Sequence, residues 1–207
     1  MTPGWWIAWL VPAAFLAAAP APAADPLETS NVRRLGRTVT QWRGDDVLVV
    51  VGWKYAHLNI RERWIFLEVW MMPTGHESLE VNREDVALLA PDGRRLGLPS
   101  QKRLAEGLPD IRRVLNVADV TRDPIDGYFS ARRSLKRIGF HEIPATRLTY
   151  EFVGMAPFSA AFGDLFFEAP DGNAFVPGIY TLVLENRQMK VRIPLPLGIE
   201  GELERVK

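Results

Sequence analysis

Along the chain, apolar residues fall into short alternating or continuous runs parted by turn-forming residues, a pattern that predicts strands more often than helices. Val47 to Tyr55 (VLVVVGWKY) is rich in β-branched residues. Trp64 to Met72 (WIFLEVWMM) is apolar on both alternating faces, with Trp64, Phe66, Trp70 and Met72 on one and Ile65, Leu67, Val69 and Met71 on the other. Val86 to Leu96 places a Pro-Asp-Gly turn between two apolar runs, and Ala169 to Gly172 repeats the tetrapeptide Ala-Pro-Asp-Gly after Leu165 to Glu168. Thr146 to Val153 alternates, with Leu148, Tyr150 and Phe152 on one side. Tyr180 to Glu185 and Met189 to Leu195 predict a hairpin around Asn186 and Arg187, with Val191 and Ile193 facing inward. Roughly seven or eight strands spaced by turns predict a β-sandwich.

Between Ser100 and Ile138 the period changes. Pro109 and Asp110 suit a helix start, and Ile111, Val114, Leu115 and Ala118 follow at helical spacing. A second helix is expected from near Pro124 or Asp126, with Tyr128, Ala131, Leu135 and Ile138 as its apolar stripe and Gly139 at its end. The expected fold is therefore an immunoglobulin-like sandwich with a two-helix insertion at about residues 100–140. A strand apolar on both faces needs cover on both, so the inserted helices are expected to bring Leu115 or Leu135 onto Trp64 or Trp70.

Met1 to Ala24 differs from all that follows: it carries no charged side chain, and Trp5 to Leu16 is an apolar block followed by alanine and proline. This reads as a secretory signal peptide cleaved after Ala23, leaving residues 24–207 as one domain. The competing reading, an uncleaved anchor, has too short an apolar block for the roughly 20 residues of a spanning helix. After cleavage no transmembrane span is expected, and the location is periplasmic or extracellular. Zero cysteine excludes disulfides, thiol chemistry, cysteine-bound metals and a lipid-modified cysteine, so an exported fold must stand on burial and hydrogen bonding. With 25 basic and 25 acidic residues there is no overall field to draw the protein onto nucleic acid.

Candidate chemistry is sparse. His57, His76 and His141 form no metal-ligand spacing, Ser159 lacks the glycines of a nucleophile elbow, and no phosphate-binding glycine motif occurs. Asp119, Asp123 and Asp126 fail the calcium-loop pattern and read as helix caps. No catalytic residue, cofactor or metal is therefore expected. Two features stand out. Trp64, Phe66 and Trp70 with Glu68 on one strand face could stack on a sugar, or could be core beneath the helices. Arg132, Arg133, Lys136 and Arg137 could meet an anionic partner as an arc on the second helix, or could be a solvated face.

The runs Trp64 to Val69, Val86 to Gly93, Gly163 to Pro170 and Tyr180 to Leu184 together resemble the telokin-like, immunoglobulin-type domains of bacterial secreted proteins and lipoproteins. That resemblance implies a non-catalytic interaction role and transfers no functional residue; the helical insertion and the missing lipid-anchor cysteine depart from it. The leading expectation is an exported, non-enzymatic module contacting an envelope protein or surface polymer. A carbohydrate-binding sandwich using the aromatic face is the second, and an envelope enzyme without a recognisable motif the third.

Overall fold

The computed structural model describes residues 29–122, 125–128, 134–143, 149–157 and 159–201. In chain order its strands are β1 Val32–Arg34, β2 Val39–Arg43, β3 Val47–Gly52, β4 Trp64–Pro73, β5 Leu79–Asn82, β6 Val86–Leu89, β7 Arg95–Gly97, β8 Ser134–Arg137, β9 Phe152–Met155, β10 Ser159–Glu168, β11 Gly178–Glu185 and β12 Lys190–Leu197. The helices are α1 Lys54–Leu58, α2 Gln101–Glu106 and α3 Leu108–Thr121. A six-stranded sheet in the order β1-β2-β3-β4-β10-β8 faces a four-stranded sheet in the order β12-β11-β6-β7, with β5 and β9 as a separate ribbon. Apart from the parallel β8–β10 edge, all the strand pairs are antiparallel.

The two-faced apolarity of β4 organises the layers. Ile65, Leu67, Val69 and Met71 enter the core between the sheets, where they join Val49 and Val51 of β3 and Leu88, Leu182, Leu184, Val191 and Ile193 from the smaller sheet. On the opposite face, Trp64 and Phe66 lie under Tyr55 of α1, Leu104 of α2 and Ile111, Val114 and Ala118 of α3, with Leu115 packed against them. Trp70 and Met72 are covered by Ile125 together with Val39 and Val50. The helices thus close the second face, and Leu115 is the expected residue that does so. Gly107, between α2 and α3, permits this approach: a Cβ there would sit 2.7 Å from the Trp64 ring.

Both Ala-Pro-Asp-Gly segments form tight turns whose glycines need left-handed backbone, φ 85° at Gly93 and φ 69° at Gly172. In each, the glycine N–H donates to the carbonyl of the leading alanine. The β11–β12 hairpin turns through Asn186 to Met189, where Asn186 Oδ1 accepts from the N–H groups of Gln188 and Met189.

Four expectations change. Twelve strands occur among the described residues, because β1, β2 and β5 are too short or too polar for their periodicity to register and β8 falls where a helix was expected. The strand from Val47 stops at Gly52, and Lys54–Leu58 turns into α1, which stacks Tyr55 on Phe66 at 4.8 Å. The second helix is not formed over Ser134–Arg137: these residues are β8, which pairs with the open edge of β10, and Leu135 is 57% exposed instead of inward. Finally, β9 buries Val153 and Met155 and exposes Phe152, since its register with β5 matches Val81 to Val153 and Leu79 to Met155, and Tyr150, before the strand, is exposed as well. The proposed leader lies outside the described residues. Among those residues, no helix is long and apolar enough to cross a membrane.

Candidate functional site

Strand register builds the site. Opposite β4, strand β10 sets Phe162 against Trp70, Asp164 against Glu68 and Phe166 against Phe66, and β8 sets Arg137 beside Phe162. Alternation places these side chains on the helix-covered face of the large sheet. The result is an acidic rung between two aromatic rungs. Two carboxylates directly opposite one another repel, and the cation that resolves this comes from the end of α3. Arg122, the residue capping that helix, donates from Nη1 to Glu68 Oε1 (3.1 Å) and Asp164 Oδ1 (3.0 Å), and from Nη2 to Asp164 Oδ2 (3.0 Å). Its guanidinium also lies 5.2 Å over the Phe66 ring. Burial works against the charge of Arg122, but the hydrogen bonds and charges of Asp164 and Glu68 outweigh it and raise its pKa.

Above this grid is a cleft of about 580 Å³, walled by β10 and β4 on one side and by Leu115, Ile125, Ile138 and Ile143 on the other. That volume is in the range of small-molecule sites. Phe162 stands at its wall 40% exposed, the accessible aromatic of the grid. His141 also lines the cleft, 6% exposed and edge-on to Phe166 at 5.9 Å. Both of its ring nitrogens are buried without a hydrogen-bond partner among the described residues. Burial, with the Arg83 charge second, pushes its pKa down to about 3, so the ring is neutral at physiological pH. Arg83 itself is held by the carbonyls of Phe140 and Pro99, which fixes the segment leading to His141.

The sequence-derived ligand face is divided by the fold. Trp64 and Phe66 are buried under the helices, Trp70 is 4% exposed, and Glu68 is engaged by Arg122. These rings are core, and the exposed ring lies across the strand pair at Phe162. Of the basic arc, Arg132 and Arg133 lie outside the described residues. Lys136 and Arg137 are neighbours on a strand and so point to opposite faces; Lys136 donates to the Gly154 carbonyl while Arg137 lines the cleft. Asp119 falls in the last turn of α3, the end at which a carboxylate does not cap. Sequence reasoning missed Arg122, His141, Phe162 and Asp164. Only the last two carried a signal, as alternate positions of one strand facing a partner already singled out.

No protein-family model and no curated protein matches the chain. Among solved structures, a candidate lipoprotein (ycdA) of Bacillus subtilis is similar over 86% of this chain and 42% of its own, at 12% identity and a TM-score of 0.35. The chain thus spans less than half of that protein's length. The yjhA protein of Bacillus subtilis is similar over 80% of this chain and 96% of its own, at 11% identity and a TM-score of 0.32. Likenesses this distant carry no argument about the site.

Proposed function

We propose that the protein is an exported, non-catalytic binding module of the bacterial cell envelope, built on an immunoglobulin-like sandwich, with the cleft over β4 and β10 as its contact seat. The observation that carries this is the Arg122-bridged pair of Glu68 and Asp164 set between aromatic rungs in that cleft. Charged groups that satisfy one another hold a shape, which suits recognition more than proton transfer. The apolar stretch from Trp5 to Leu16 with Ala21 and Ala23 favours export. A further support for the sandwich type is Tyr180, whose hydroxyl at the start of β11 bonds the Val176 backbone at 2.9 Å, as in the tyrosine corners of such domains.

Two measurements test the reading. Expressed with its leader in bacteria, the protein should be recovered outside the cytoplasm with its mass starting at Ala24. Titrated with a panel of small anionic, cationic and neutral compounds, it should show amide and indole NMR shifts clustered at Trp70, Arg122, Phe162 and Asp164, with the compounds recovered unchanged. Shifts scattered over the surface, or turnover of a bound compound, would refute it.

A further inference from the structure

Resting on the cleft as the binding seat, we infer that its ligand is a neutral saccharide, a mono- or disaccharide unit bound between the Phe162 ring and the polar groups Asp164, Arg122 and His141. Three observations converge on that chemistry. The first is charge. Glu68 and Asp164 are balanced within the cleft by Arg122 and Arg137, and His141 is held neutral, so the cleft offers no net charge for an ion to seek.

The second is the pairing of donors and acceptors. A neutral imidazole carries one N–H donor and one acceptor nitrogen, and both are unmet at His141 among the described residues. A hydroxyl carries the same two capacities and so answers it in kind. Each Asp164 oxygen takes one N–H from Arg122, which leaves it a further lone pair for a hydroxyl proton. Arg122 and Arg137 are donors for hydroxyl oxygens. Planar carboxylate and guanidinium groups beside an amphoteric ring read an array of hydroxyls better than a single charge.

The third is the ring at the wall. Phe162 is 40% exposed in a fold that buries its other β4–β10 aromatics, and its strand neighbour across the ladder is Arg137. A flat exposed ring beside converging polar groups accepts the apolar C–H face of a sugar while those groups take its edge.

The test titrates cellobiose, maltose and diacetylchitobiose by calorimetry and NMR, with glucuronate, glucosamine and inorganic phosphate as charged comparators. Cellulose, amylose and chitin, tested by co-sedimentation, separate a polymer source from a free one. At least one neutral saccharide should bind and move the His141 ring resonances. Asp164→Asn and Phe162→Ala should each weaken it by about tenfold or more, the scale of a lost charged hydrogen bond. Phe152→Ala, at an exposed ring away from the cleft, should leave it unchanged. Phe162→Ala removes an exposed side chain and keeps the test open should Asp164→Asn fail to fold. Tighter binding of a charged comparator in the cleft overturns the saccharide inference while the binding seat stands. Binding by none of the probes at the cleft, or binding indifferent to both variants, overturns both.

Discussion

Arg122 and His141 line one cleft and represent opposite extremes of partnering. Arg122 meets two carboxylates and a ring; His141 lies edge-on to Phe166, with no hydrogen-bond partner for its ring nitrogens among the described residues. The cost of the second arrangement depends on pH. His141 folds with a pKa near 3 against 6.5 when unfolded, so between those values the unfolded chain binds the proton and the native one does not. Stability is therefore intact above about pH 6.5 and drains away as the solution is acidified toward pH 3. By pH 4 the loss from this residue should reach the order of 3 kcal/mol. Urea unfolding at pH 7 and pH 4 should show it, and His141→Phe should remove much of the difference; an equally acid-sensitive His141→Phe protein would contradict the account. Neither residue is readable from the chain. A lone histidine after a strand and an arginine after a helix are ordinary, and only the register of β10 on β4 brings Asp164 and Glu68 to where Arg122 can join them.

At the scale of elements, the helical cover works because one position lacks a side chain. Gly107 joins α2 to α3 directly against the Trp64 indole, and Gly107→Ala would place a methyl group 2.7 Å from that ring. Overpacking of this kind costs about 1–3 kcal/mol. Thermal unfolding of Gly107→Ala should show a lower midpoint, and an unchanged one would mean that the helices ride higher on the sheet. A second tie holds α2 down: Glu168 of β10 accepts from both Arg63 and Arg103, with Arg103 continuing to Glu106. Arg103 foremost, and then Arg63, hold the Glu168 carboxyl below its usual range against the opposing effect of burial. The two-faced apolarity of Trp64 to Met72 made the need for this cover legible, as the Ile111 to Ala118 spacing did for α3. Ser134 to Arg137 was not legible because four residues with one apolar member fit either period, and the choice was made by the unpaired edge of β10.

For the molecule as a whole, the equal charge totals conceal a division. The segment 101–138 carries nine basic and five acidic residues, so the rest of the chain is correspondingly acidic. The tryptophans give a whole-molecule prediction. Beyond residue 24 the chain has Trp42, Trp53, Trp64 and Trp70, and all four are buried. The protein produced from Ala24 onward should emit blue-shifted fluorescence that iodide scarcely quenches, and a large iodide-accessible fraction would contradict this packing. Sandwich layering was readable at this scale because alternation and turn chemistry are local; the location of the cleft was not, since it depends on which distant strands become neighbours.

That neighbour relation also governs the order in which the protein can be made. The pairs Ala161 with Met71 through Glu168 with Trp64 close loops of about ninety to about one hundred residues. β4 therefore has no partner on that side until about four-fifths of the chain has been synthesised, and contacts of such long range fold slowly. During that interval the apolar runs of β3 and β4 are exposed on a chain with no cysteine to staple it, the condition in which strands aggregate. The architecture thus postpones closure of the large sheet until about the last fifth of the chain has arrived.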